Sequence, residues 1–245
     1  METNNFKIYK DFLEKIINID VNNDNFNYTI IAFVKYFISL INSFEKLVIE
    51  NDFIGLTYIL RGQYEILLQF CYLVEYSTFE KDNINKCHQR ALSCLYFNTL
   101  QEYELAKSSE DENLYNPIKK QLEDPIFNDI KIEYDNKNKN NKYLNWYNLY
   151  SNISTLNKLE EHLDFKNQKN QAYNLFSKIC HGNLIISFHK YSSSYIKEWL
   201  GLSNSFMGVF CGNLIYFATK NKLDIQPFLS FMISNIEDDS IRNHF

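Results

Sequence analysis

The sequence predicts an all-α fold, a single helical bundle of roughly seven or eight helices. Apolar residues recur at intervals of three and four along most of the chain, which is the spacing of an amphipathic helix. Only 6 Gly and 3 Pro interrupt the 245 residues. No run alternates apolar with polar residues and valine is scarce, so a sheet of any size is not expected. With 45% apolar and 16% aromatic residues, the chain can bury a substantial core.

Four helices are predicted in the first half. Asp52 is a good N-cap for the third of them. Ser77 and Glu80 have the spacing of a capping box, which predicts the start of the fourth. The predicted bounds are residues 6–17, 28–50, 52–76, and from 77 toward 107.

The helical pattern is interrupted after Pro125. Residues 135–142 read DNKNKNNK and offer no apolar side chain, so a long flexible loop is predicted over about 126–142. We interpret this loop as an insertion within one helical domain, residues 1–245, with two separate helical domains as the alternative. Beyond it, helical pattern runs from about Trp146 to Leu163. The further helices are predicted at 172–181, 195–200, 205–221 and 225–236.

Charge and cysteine content restrict the class of protein. The net charge of −5 argues against broad nonspecific nucleic-acid binding, which needs a basic surface, but it permits RNA cleavage at a local site. The 5 cysteines are odd in number and show no CxxC spacing, which is typical of reduced thiols in a cytosol. The N-terminal sequence has no basic start followed by an apolar signal core. A cytoplasmic protein without membrane association is therefore predicted.

Arg61 and Glu65 are the most informative residues. They are the only charged side chains in the apolar segment from Phe53 to Val74, and their spacing places them on one helical face. Unpaired charges in such a segment are costly, so we expect each to have a partner. Two interpretations stay open: an ion pair that fixes helix register, or an arginine that binds a phosphate or carboxylate while Glu65 orients it. Tyr72 continues the same polar stripe.

A second polar cluster lies in the segment YNLFSKICHG. Tyr173, Ser177 and His181 step by four residues, which places them on one helical face among apolar neighbours. His181 is either a core histidine with satisfied hydrogen bonds or a catalytic group. His189 follows at a spacing that is a poor metal signal. The chain contains no GxSxG, P-loop or GxGxxG motif, so no metal site and no cofactor are predicted.

These motifs resemble a widespread bacterial family of unknown function. The resemblance rests on Leu60-Arg61-x3-Glu65, on Trp146 near mid-chain and on Tyr173-x3-Ser177-x3-His181-Gly182, and it covers roughly residues 30–220. Members of that family are all-helical, are about this long, and often lie near mobile elements or defence genes. The resemblance implies that Arg61, Glu65, Ser177 and His181 form a common polar centre, without implying a reaction.

The chain also resembles, more loosely, the helical-bundle ribonucleases of prokaryotic defence and toxin systems, the HEPN group. Those enzymes cut RNA without metal, using an Arg and a His four to six residues apart on one helix. Here no arginine has a histidine at that spacing. The resemblance therefore implies a ribonuclease site only if Arg61 and His181 meet across helices.

Two functions follow as hypotheses. The first is a metal-independent ribonuclease in phage defence or a toxin system, in which Arg61, Glu65, His181 and Ser177 are catalytic and Tyr173 and Tyr72 line the site. His181 would take a proton from the RNA 2′-hydroxyl or donate one to the leaving oxygen. The alternative is a non-enzymatic helical module that binds a partner protein or a small anionic ligand. The expected partner is RNA or a protein, and a homodimer is left open.

Overall fold

The computed structural model confirms the all-α prediction. It describes residues 4–17, 25–74, 83–109, 111–138, 144–163, 165, 176–178, 180 and 185–220. Of these, only the backbone is described for residues 4, 5, 26, 83, 84, 185–195 and 218–220. Within these ranges the regular structure consists of eight α-helices, further helical residues at 176–178 and 180, and two short 3-10 turns, Pro125–Phe127 and Trp146–Asn148, and contains no strand. The helices are α1 (Asn4–Ile16), α2 (Asn25–Glu50), α3 (Phe53–Val74), α4 (Asn83–Lys107), α5 (Glu112–Leu122), α6 (Asn128–Asn138), α7 (Leu156–His162) and α8 (Ile185–Lys220).

The predicted bounds of the first three helices, and the end of the fourth, agree with the structure to within a few residues. The capping box at Ser77 and Glu80 lies outside the described residues, as does the helix predicted at 225–236. Of the helix predicted at 172–181, residues 176–178 and 180 are described, and they are helical.

Two helices predicted at 195–200 and 205–221 are one continuous helix, α8, so that part of the prediction is wrong. The structure explains the continuity, because Trp199, Ser203 and Phe206 are all buried at helical spacing across the expected break. A helix that continues through Gly201 keeps these three side chains on one face.

The predicted loop at about 126–142 is also wrong where the structure describes it. Pro125–Phe127 forms a 3-10 turn and α6 follows directly. The apolar anchors are Phe127 and Ile130, both of which are buried. Lys137 lies in the low-complexity stretch, and its ammonium donates to the backbone carbonyl of Asn148 at 2.9 Å. Residues 139–142 lie outside the described residues.

The helical pattern predicted from Trp146 to Leu163 is divided into a 3-10 turn and α7. Ser151 accounts for the division. Its hydroxyl donates to the Tyr147 carbonyl and accepts from the Ile153 amide at 3.1 Å. Such side-chain bonds compete with the helical backbone ladder, so the helix begins only at Leu156.

The contacts of the chain group into two compact units. The first contains Met1–Asp20, Ile31–Ser77 and Leu163–Phe245, and the second contains Val21–Ile30 and Thr78–His162. The prediction of one domain over residues 1–245 stays a prediction.

In the first unit, α3 packs along α8 through aromatic side chains. Phe210 of α8 stacks on Phe70 of α3, with ring centroids 4.1 Å apart, and on Phe37 of α2 at 4.3 Å. Tyr64 and Phe206 contact one turn further along. All of these rings are fully buried. Their packing fixes the rotation of α3 about its own axis, so the opposite face of the helix can carry polar groups.

A tight turn fixes the start of α3. Asn51 adopts a left-handed conformation with φ of 54°. The amide of Asn51 bonds the Val48 carbonyl and the amide of Asp52 bonds the Leu47 carbonyl, a Schellman arrangement that ends α2. The Asp52 carboxylate then accepts from the Gly55 amide at 3.0 Å, which confirms the predicted N-cap.

The second unit has its own aromatic core. Helix α4 packs against α5, α6 and the Trp146–Asn148 turn. Tyr96 contacts Phe127 and Tyr134, with centroids 5.5 and 5.8 Å away. These rings connect α4 to the segment that was predicted to be a loop, and so explain why that segment is ordered into a helix.

Part of α8, Ile196–Phe217, is long and apolar enough to cross a membrane by length and composition. The same segment carries Trp199, Phe206 and Phe210 into the core of the first unit. In the most apolar window of this segment, 44% is buried inside the protein.

Candidate functional site

Arg61 and Glu65 form the predicted pair on α3. The Arg61 Nε donates to Glu65 Oε1 at 2.8 Å, and each side chain is 27% exposed. The pair is therefore neither sealed in the core nor fully solvated. Glu65 holds the guanidinium in orientation while solvent, or a ligand, can still reach the pair.

The segment containing Ser177 and Cys180 packs against the start of α3 through three aromatic rings. Phe176 contacts Trp199 of α8 edge-on, with centroids 6.1 Å apart. Trp199 in turn stacks on Phe53 of α3 at 3.8 Å. Phe176 and Trp199 are almost fully buried, so the segment is anchored on α8 at the residue that itself stacks on the helix carrying Arg61.

Tyr58 connects this segment to α3 by a hydrogen bond. Its hydroxyl donates to the backbone carbonyl of Cys180 at 2.9 Å. Tyr58 precedes Arg61 by three residues and therefore lies on the same helical face. Residue 180 is thus held directly beside the face of α3 that carries the ion pair.

The Cys180 thiol contacts the ion pair itself. The Arg61 guanidinium lies within hydrogen-bonding reach of the sulfur. Burial raises the pKa of the Cys180 thiol above its ordinary value, Arg61 opposes that shift, and the Glu65 charge adds to it. The thiol is consequently neutral at neutral pH and is a weak nucleophile.

Of the second predicted polar cluster, the structure describes only Ser177, in the segment whose Cys180 lies beside α3. Arg61 and Glu65 lie beside the segment that carries Ser177, which is half-buried. Tyr72, the predicted lining residue further along α3, is buried. His181 and Tyr173 lie outside the described residues. His181 directly follows Cys180 in the chain.

Two residues of this site were missed by the sequence analysis, Tyr58 and Cys180. A usable signal existed for each. Tyr58 precedes Arg61 by one helical turn on the polar stripe, and Cys180 adjoins His181. Their roles depend on a hydrogen bond between residues 122 positions apart, which no local pattern reveals.

No group of three or more His, Cys, Asp or Glu side chains is placed to hold a metal ion in the part of the chain that the structure describes. An open groove of about 480 Å³ lies within the second unit, where Leu100, Glu104 and Tyr134 contribute to its lining. None of the predicted site residues lines this groove.

No family model, curated protein or solved structure matches this chain. The two resemblances drawn from the sequence therefore stay predictions.

Proposed function

We propose that this chain is a metal-independent ribonuclease with its active centre at Arg61, Glu65 and His181. The observation that carries the proposal is the placement of Cys180, the residue before His181, beside Arg61, where the Tyr58 hydroxyl holds the Cys180 carbonyl at 2.9 Å. A ribonuclease of this type needs a cation for the phosphate and a histidine for proton transfer within one site. In the proposed site the cation is Arg61 and the histidine is His181, and both belong to the first unit.

Exposure also supports the proposal. An ion pair that is sealed in the core cannot be reached by a substrate, whereas a catalytic pair must be reached by it. At 27% exposure for each side chain, Arg61 and Glu65 meet the second requirement. The net charge of −5 restricts the interaction to a local contact with RNA.

Each residue has a defined role in the proposed reaction. His181 accepts the proton of the 2′-hydroxyl as that oxygen forms a bond to the adjacent phosphorus. The bond from phosphorus to the 5′-oxygen breaks, and that oxygen takes a proton from water. Arg61 stabilises the negative charge on the non-bridging oxygens and Glu65 keeps Arg61 oriented. Ser177 and Tyr173 complete the lining, and the products carry 2′,3′-cyclic phosphate and 5′-hydroxyl ends.

A role in phage defence or as a toxin, in the cytoplasm, belongs to the same proposal, with RNA as the partner. The test is cleavage of a mixed panel of RNAs by the purified chain in the presence of a chelator. His181→Ala and Arg61→Ala should abolish cleavage while the helical circular dichroism spectrum is retained. His162→Ala and Arg90→Ala, which change the same residue types in the second unit, should leave it unchanged.

Absence of cleavage by the wild-type chain across the panel would contradict the proposal. Binding of an anion that depends on Arg61, without cleavage, would establish the alternative, a non-enzymatic helical module. Loss of fold in His181→Ala, together with an inactive wild type, would identify His181 as a core residue.

A further inference from the structure

We propose that Tyr58 is a stacking platform for a base of single-stranded RNA, next to the phosphate position defined by Arg61. The inference rests on the proposed ribonuclease function and names its substrate class. It assigns to Tyr58 a binding role that none of the sequence motifs contains.

The first observation is that Tyr58 is exposed and yet fixed. Its side chain is 51% exposed although it lies on a helix that is otherwise largely buried. Its hydroxyl is held by the Cys180 carbonyl at 2.9 Å. A ring that is already immobilised loses little further conformational entropy when a ligand stacks on it.

The second observation is the order of side chains along this face of α3. Ile54, Tyr58, Arg61 and Glu65 follow one another at helical spacing, and Ile54 is 54% exposed. An apolar surface, an aromatic ring and an oriented guanidinium therefore succeed one another within three turns. A nucleotide presents the matching sequence of groups, with a flat base at one end and a phosphate at the other.

This arrangement favours single-stranded over duplex RNA. Bases in a duplex are stacked on their neighbours and cannot reach a side chain, whereas unpaired bases stack readily on aromatic rings. Stacking of this kind tolerates any base, because each base has a flat aromatic face. We therefore expect weak sequence preference and a strong preference for unpaired RNA.

The experiment measures binding of a fluorescein-labelled single-stranded DNA octamer by anisotropy. This probe lacks the 2′-hydroxyl and cannot be cleaved by the proposed reaction. Tyr58→Leu should weaken binding by about 5- to 150-fold, the usual effect of losing one base stack. Tyr58→Phe keeps the ring and should bind within a few fold of wild type. An abasic octamer should bind equally to wild type and Tyr58→Leu.

Tyr36→Leu is the matched control, since Tyr36 of α2 is similarly exposed at 55%. It should bind the octamer like wild type. Circular dichroism establishes that each variant is folded. If Tyr58→Leu fails to fold, the comparison of Tyr58→Trp with wild type replaces it, and the larger ring should bind at least as tightly.

The outcomes separate this inference from the proposed function. Tyr58-dependent octamer binding without RNA cleavage by wild type would support the stacking role and contradict the ribonuclease. Cleavage of RNA together with octamer binding that is unaffected by Tyr58→Leu would overturn the stacking role alone. No binding of the octamer by wild type would also overturn it, and would leave the Ile54 and Tyr58 surface as a site for a protein partner.

Discussion

Arg61 contacts the thiol of Cys180, which joins two segments separated by 119 positions in the sequence. The contact is supported on both sides, by Glu65 on the arginine and by Tyr58 on the backbone of Cys180. It is the point at which the charged motif on α3 meets the segment that leads to His181.

The pH dependence of Cys180 alkylation should report the ion pair directly. Cys180 is the half-buried cysteine, while the other four are buried, so it should react first with iodoacetamide. Burial raises its pKa, Arg61 lowers it and Glu65 raises it. Arg61→Ala should therefore move the midpoint of the pH–rate profile upward, and Glu65→Gln should move it downward. Shifts in the same direction would contradict the contact.

The Arg61 and Glu65 pair should contribute only modestly to stability. For a fully buried ion pair, removal of one partner lowers the free energy of unfolding by about 3–5 kcal/mol, because the other charge is left buried without its partner. With 27% exposure on each side, water solvates the remaining partner. Arg61→Ala should therefore lower the free energy of unfolding by about 1–2 kcal/mol in urea denaturation, with a coupling to Glu65→Ala below about 1 kcal/mol. A loss above about 3 kcal/mol would show that the pair is structural.

The buried hydrogen bond between Gln63 and Ser203 should show a strong coupling between its two partners in stability measurements, in contrast to the partly exposed ion pair. The Ser203 hydroxyl donates to Gln63 Oε1 at 2.9 Å, and both side chains are fully buried. The Gln63 amide nitrogen has no hydrogen-bond partner among the described residues. Ser203→Ala strands the Gln63 oxygen as well and should cost about 1–3 kcal/mol. The double variant with Gln63→Leu should recover most of that loss, and equal losses in the single and double variants would contradict this account.

Two glycines of α3 should respond oppositely to alanine. A Cβ at Gly55 would lie 2.6 Å from Asp52 Oδ2 and 2.9 Å from the Leu47 side chain, so Gly55→Ala should disturb the N-cap and cost about 1–3 kcal/mol. A Cβ at Gly62 would meet only Leu40, at 3.5 Å. Gly62→Ala should therefore stabilise by about 0.5–1 kcal/mol through helix propensity. Thermal melts of both variants test the α2–α3 packing.

Cys94 should contribute to the loss of stability at alkaline pH. Burial raises the pKa of its thiol from 9.0 to about 12, and a hydrogen bond from Asn98 opposes the shift. The pKa of the thiol is higher in the folded state than in the unfolded state. The stability that the protonated thiol contributes is therefore fully present below pH 9 and is lost as pH rises from 9 toward 12. The slope approaches about 1.4 kcal/mol per pH unit in that window. Cys94→Ala should give a shallower slope between pH 9 and 11, even if its stability at pH 7 is lower.

The sequence by itself determined the all-α class, the bounds of the first helices, the Asp52 cap and the pairing of Arg61 with Glu65. All of these depend on residues within about four positions of one another, and such local interactions can be read from spacing alone. Tertiary structure decided the rest. The 126–138 segment became a helix because Phe127, Ile130 and Lys137 find partners elsewhere in the second unit, and α8 stayed continuous because its buried face needs one helix. The half-buried state of Arg61 and its contact with Cys180 likewise depend on how distant segments pack, which no local pattern specifies.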